Sequence, residues 1–254
     1  MTKLHERREK DKFLNNCPKA ILFDLDDTIL SFGNQSELIW RSVIRMFSPH
    51  IPGVTEENLL RVITKSRKWY WSEPVRHRLG RLGLENSSMV IVQNAFCSLG
   101  IQSPEIVEEM AESYQDQRLS GLKPYDGAID TLRTIRALDL RMALVTNGDS
   151  ATQRRKIDAY NLSSFFDLVL IEGEFGIGKP DMKVYQFAME YLGYGPEDTW
   201  MIGDNYEWEV VAPKQLGITS VWVNPKNEEI PKGSQIRPDW IVESINEVVD
   251  LIRP

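Results

Sequence analysis

Asp24 and Asp26, Thr146 with Asn147 and Gly148, Lys179, and Asp204 are the side chains that could do chemistry together. Each group follows an apolar run that reads as a strand, and in open α/β sheets ligands bind beyond the carboxyl ends of the strands. Carboxylates brought together there repel one another, and each raises its neighbours' affinity for protons unless a cation sits among them. Asp24, Asp26 and Asp204 therefore call for a hard, oxygen-seeking ion, and Mg²⁺ is the common intracellular choice. With few protein ligands, such an ion completes its shell with water and a phosphate oxygen. Lys179 adds a second positive charge, while Thr146 and the backbone amides of Asn147 and Gly148 are placed to donate to the remaining phosphoryl oxygens. The set reads as an electrostatic clamp for phosphoryl transfer, in which positioning and charge neutralisation do most of the catalysis.

The elements that must carry these residues are legible from apolar spacing. Residues 20–25 form a nearly continuous apolar run of the kind buried on both faces of a parallel sheet. Similar runs lie at 142–145, 168–171, 200–202 and 220–223, with a shorter one at 240–242. Helical periods fall between them, over 128–138 and 184–192. This alternation predicts an α/β fold with a doubly wound, Rossmann-like parallel sheet. Residues 36–119 show helical spacings instead, punctuated by Pro49, Pro52, Pro74 and Pro104. The expected organisation is a core domain from 1–32 and 120–254, interrupted by an all-α domain at 33–119.

With the motifs in view, the chain resembles the haloacid dehalogenase-like hydrolase superfamily. The resemblance rests on Asp24/Asp26/Thr28, Thr146/Asn147, Lys179/Pro180 and Gly203/Asp204 in that order, and the helical insert resembles that family's C1-type cap. It implies that Asp24 is a nucleophile that becomes an aspartyl-phosphate. Asp26 would protonate the leaving oxygen, deprotonate the hydrolytic water and offer its backbone carbonyl to Mg²⁺. Asp24 and Asp204 would bind the metal directly, and Thr146 and Lys179 would hold the phosphoryl group, with Lys179 keeping Asp24 ionised. One departure stands out. The family often has a second Asp five residues after the Gly-Asp aspartate, and here that position is Glu209, acting through a water or only from behind the ligands.

Other readings compete. A phosphomutase would use the same residues, although the family's sugar mutases tend to carry Val where Thr28 stands. A 2-haloacid dehalogenase would also use an Asp nucleophile, but a halide leaves without a proton, which gives Asp26 no task. A phosphorylated receiver domain is about half this length and lacks a large insert; a non-catalytic phospho-ligand sensor is a further alternative. Gly173 to Lys179 has P-loop spacing, yet Pro180 follows and offers neither the hydroxyl nor the amide hydrogen such a loop needs. Asp27 and Asp149 read as turn or cap residues. His5, His50 and His77 read as surface residues without ligand spacing. Lys68, Arg76, His77, Arg78 and Arg81 beside Trp69-Tyr70-Trp71 read as a solvated helix face next to core aromatics, with a substrate-selecting patch as the competing reading.

Composition bounds the partners. The 254 residues are 42% hydrophobic and 26% charged, the balance of a folded globular chain. A formal net charge of −7 argues against nucleic acid as the main partner. Only Cys17 and Cys97 occur, which excludes a disulfide framework. Residues 1–12 lack the apolar run of a secretory signal, and no stretch approaches the length of a membrane span. The expected partner is a small phosphorylated metabolite, met in the cytoplasm, with no membrane involved.

Overall fold

The computed structural model describes residues 17–32, 35–83 and 85–252. Residues 1–12, and with them His5, lie outside that range. The chain divides into two compact units, Met1–Leu30 with Pro124–Pro254, and Ser31–Lys123. Each passage between them runs through a two-residue strand, β2 (Leu30–Ser31) and β3 (Lys123–Pro124).

The first unit, which also carries α6 (Ala128–Arg136), is built on a six-stranded sheet. Its strands are β1 (Ala20–Phe23), β4 (Arg141–Thr146), β5 (Leu168–Ile171), β6 (Thr199–Gly203), β7 (Thr219–Val223) and β8 (Trp240–Val242). The spatial order is β5-β4-β1-β6-β7-β8, and every neighbouring pair is parallel. A parallel sheet covered by crossover helices is buried on both faces, so its inner strands need apolar side chains at every position. All four residues of β1 and all five of β6 are buried accordingly. The edge strand β5 is less covered: Leu168 and Val169 are only partly buried, unlike the fully buried strand that its composition predicts.

Register places the chemistry. Phe23 pairs with Leu144 on one side and Ile202 on the other, so the chain leaves β1 at Asp24 between the ends of β4 and β6. The order of strands along the chain thus differs from their order in space, and the switch falls beside β1, where such sheets bind ligands.

The second unit is helical, with α1 (Ser36–Phe47), α2 (Glu56–Trp71), α3 (Pro74–Arg81), α4 (Ser87–Ser98) and α5 (Pro104–Ser120). Two of the prolines mark helix starts. Pro74 and Pro104 occupy first-turn positions, where the missing amide hydrogen costs nothing. Its core gathers Trp40, Leu59, Ile63, Tyr70, Phe96 and Met110, with Trp40 stacked on Tyr114 at 4.1 Å between ring centroids. Of Trp69-Tyr70-Trp71 only Tyr70 is buried; Trp69 and Trp71 stay 40% and 38% exposed, which corrects their reading as core aromatics. The guanidinium of Arg76 lies over the Trp69 ring at 4.1 Å, and Trp71 packs edge-on against His77. Among the described residues no helix is long and apolar enough to cross a membrane.

Candidate active site

The residues singled out in the sequence meet at the carboxyl ends of β4, β1 and β6. Asp24 is the first residue past β1, and its amide donates to the Ile202 carbonyl at 2.9 Å, which prolongs the ladder to the carboxylate. Lys179 reaches it from the loop after α8 (Glu172–Phe175). The Lys179 ammonium donates to Asp24 Oδ1 and to Glu209 Oε1, both at 2.6 Å, and its side chain is fully buried.

Glu209 comes inward because of local backbone geometry. The turn Tyr206–Val211 is π-helical, a form that occurs mostly as single turns at functional sites. Asn205 caps it, accepting from the amides of Glu207 and Trp208. Glu209 Oε2 then accepts from the Asn205 amide at 2.8 Å. Gly203 makes room: a Cβ there would meet Glu209 Cγ at 2.1 Å and Asp24 Cβ at 3.0 Å. Glu209 is therefore a wholly buried partner of Lys179 rather than a marginal acid.

Asp204 follows β6 and is partly exposed. Its backbone carbonyl accepts from the Trp222 indole at 2.7 Å, which fixes the peptide from the neighbouring strand β7. Burial, then the charges of Asp24, Glu209 and Asp27, push the Asp204 carboxyl up to about 9. Burial likewise raises Glu209 to about 7 against the pull of Lys179, and raises Asp24 more than Lys179 lowers it. Burial alone would lower Lys179; the Asp24 and Glu209 carboxylates outweigh it and hold the ammonium above its usual range.

These shifts have one meaning. Asp24 and Glu209 share a single buried ammonium and Asp204 lies within reach of their charges, so three carboxyl groups face one cation and their ionised forms repel one another. Among the described residues no three acids, histidines or cysteines are preassembled as a cage, and Asp24 and Glu209 are both ion-paired to Lys179. A donor set of hard carboxylate oxygens with a charge deficit fits a divalent cation such as Mg²⁺, which would replace the protons that the acids otherwise retain.

Asp26 is held apart from this cluster. Its carboxylate accepts from Lys156 at 2.9 and 2.8 Å and from Gln153 at 3.2 Å. Thr146 lies at the end of β4, and its hydroxyl accepts from the same Gln153 amide at 2.5 Å. Gln153 and Lys156 are absent from the sequence reading; they lie on α7 (Ser150–Ala159), where nothing but an i, i+3 spacing beside the apolar Ile157 marks an inward face.

Asn147 and Gly148 have partners within the protein. The Asn147 side chain engages the Lys179 backbone, and the Gly148 amide donates to the buried Glu172 carboxylate at 3.2 Å. Asp149 caps α7 by accepting from the Thr152 amide at 2.8 Å, and Asp27 adopts a left-handed turn, φ 61°, with the Tyr125 hydroxyl donating to it at 3.4 Å. Both match their reading as turn and cap residues.

Comparison with known proteins gives the family and the fold. The glyceraldehyde 3-phosphate phosphatase of Methanopyrus kandleri is 28% identical over 242 residues, covering 92% of this chain and 97% of that protein. The phosphoserine phosphatase of Thermus thermophilus is 34% identical over 179 residues, 70% of this chain and 65% of that one. Among solved structures, YfnB from Bacillus subtilis, bound to magnesium, superposes with a TM-score of 0.70 at 21% identity, covering 92% of this chain and 98% of that one. The fold is also that of L-2-haloacid dehalogenase from Xanthobacter autotrophicus, with a TM-score of 0.62 at 19% identity and coverage of 93% and 98%. The sequence model of the haloacid dehalogenase-like hydrolases matches residues 18–217, and the chain belongs to that family.

Proposed function

We propose that this chain is a Mg²⁺-dependent phosphatase that hydrolyses a small phosphomonoester through an aspartyl-phosphate on Asp24. The observation that carries the reading is the split between the acids: Asp24 is ion-paired to Lys179, whereas Asp26 is ion-paired to Lys156. Two carboxylates two residues apart, each with its own cation, suit a nucleophile and a separate proton carrier. The phosphatase relatives support the same reading.

In this mechanism Lys179 and the Thr146 hydroxyl orient the phosphoryl group, and Lys179 keeps Asp24 ionised. An Asp24 oxygen attacks phosphorus as the bond to the leaving oxygen breaks, and Asp26 passes its proton to that oxygen. Asp26 then takes a proton from a water that attacks the phosphorus of the aspartyl-phosphate. The bond from phosphorus to Asp24 breaks, releasing inorganic phosphate and restoring both carboxyl groups. Asp24, the Asp26 carbonyl and Asp204 would hold Mg²⁺, which when bound neutralises charge developing on the phosphoryl oxygens. Asn147 serves by fixing Lys179. Engaging phosphate with the Gly148 amide requires Glu172 to yield its hydrogen bond. The helical unit takes the role of a cap that selects the substrate, a small phosphorylated metabolite.

The dehalogenase alternative gives Asp26 and its two partners no task, since a halide departs unprotonated. Turnover of p-nitrophenyl phosphate with Mg²⁺ and with a chelator tests the reading. Mg²⁺-dependent release of phosphate that is lost in Asp24→Asn is expected. Near-normal phosphatase activity in Asp24→Asn would reject the covalent route, and halide release from 2-chloropropionate without phosphatase activity would replace it with dehalogenation.

A further inference from the structure

One helix face holds the Asp26 carboxyl group. Lys156 Nζ donates to both of its oxygens and Gln153 Nε2 to one of them, and these two side chains are exposed by only 1% and 2%. Withdrawing an ammonium from water is expensive unless an opposite charge meets it. A position that served packing alone would carry an apolar side chain, as the adjacent Ile157 does on the same buried face. The Lys156 ammonium thus binds both oxygens of Asp26, and the Gln153 amide ties that acid to the Thr146 hydroxyl. Two buried ammoniums divide the acids between them: Lys179 takes Asp24 and Glu209, and Lys156 takes Asp26.

We propose that Lys156 and Gln153 are positioning residues for proton transfer, fixing the Asp26 carboxyl group relative to Thr146 and keeping it off Lys179. The proposal rests on the phosphatase reading, in which Asp26 gives its proton to the leaving oxygen and later takes one from water. Among the described residues the other buried ammonium is Lys179. A carboxylate drawn there would leave the leaving group unserved and would compete with Asp24.

The test compares two leaving groups. p-Nitrophenolate departs without a proton, whereas the alkoxide of benzyl phosphate needs one. General acid catalysis is worth roughly 10²–10⁴-fold, so Lys156→Met is expected to lose about tenfold or more in kcat/KM on benzyl phosphate beyond any loss on p-nitrophenyl phosphate. Gln153→Met should show the same selectivity, and it decides the matter if Lys156→Met does not fold. In an Asp26→Asn background neither change should add further selectivity, because all three residues act as one unit. A merely structural role would lower both substrates in proportion. Proportional losses in the Lys156 and Gln153 variants, with Asp26→Asn still selective, would overturn the positioning role and leave the phosphatase reading intact. An unselective Asp26→Asn would remove Asp26 as the acid, and the proposal would fall with it.

Discussion

The Asn147 side chain grips both polar groups of the Lys179 backbone: its Oδ1 accepts from the Lys179 amide at 2.8 Å, and its Nδ2 donates to the Lys179 carbonyl at 2.7 Å. These residues lie at the ends of different elements, one just past β4 and the other in the loop that follows β5. The pair of bonds therefore sets the point from which the Lys179 ammonium reaches Asp24. Gly178 fits the same network tightly, since a Cβ there would come within 2.6 Å of Asn147 Oδ1.

Asn147→Ala leaves a buried amide and a buried carbonyl without partners, at a cost of about 1–3 kcal/mol for each unsatisfied group. The expected result is a lower urea midpoint together with a fall in kcat on p-nitrophenyl phosphate, because the ammonium loses its aim. Chemical denaturation and steady-state kinetics measure both. A variant that is destabilised but keeps its full kcat would show that Lys179 holds its place without Asn147.

Gly203 presents the opposite case, in which the missing side chain is the point. Any Cβ there collides with Glu209, so Gly203→Ala must displace a fully buried carboxylate from Lys179. Breaking a buried ion pair costs roughly 3–5 kcal/mol. Gly176 is the control: its φ of 83° strains alanine, but no atom lies within 4 Å of the added carbon. Left-handed backbone at a non-glycine residue costs about 1–2 kcal/mol. Thermal denaturation should rank Gly203→Ala well below Gly176→Ala, and equal losses would mean that Glu209 moves aside freely.

The sheet and most of the acid cluster were legible because buried parallel strands need unbroken apolar runs, and a carboxylate just past such a run has few structural excuses. Asp24 and Asp204 are readable on those grounds, and Lys179 only through its place in the ordered series of motifs. Glu209 was ambiguous because its spacing says nothing about a π-helical turn, and that turn, with the bare Gly203 beneath it, brings the longer stem inward. Lys156 and Gln153 were invisible for another reason. A lysine and a glutamine in an Arg-rich helix look solvated, and only the fold, which brings Asp26 against that helix face, gives them a carboxylate to meet. Trp69 and Trp71 failed in the other direction: both stay at the surface, with Arg76 lying over the Trp69 ring, whereas Trp200 and Trp222 are buried in their strands.

The charge deficit around Asp204 predicts how stability depends on pH and metal. In the folded protein the Asp204 carboxyl is raised from 3.8 to about 9 and Glu209 from 4.5 to about 7, with burial the leading cause for both. A carboxyl whose folded value is raised holds a proton that the unfolded chain has released. Its contribution to stability is thus complete below the unfolded value and lost as pH rises through the folded one. Metal-free protein should lose thermal stability continuously on passing from pH 6 to pH 9, the decline easing above about 7 as folded Glu209 ionises and levelling off near 9 as Asp204 does. Mg²⁺ displaces those protons, so its stabilising effect should widen with pH; binding at a hundredfold excess over Kd is worth about 2.7 kcal/mol. Melting curves in chelator and in Mg²⁺ at pH 6, 7.5 and 9 measure the gap, and Asp204→Asn should close most of it. If Mg²⁺ shifts the midpoint at no pH, the acids at the ends of β1 and β6 are not a metal site.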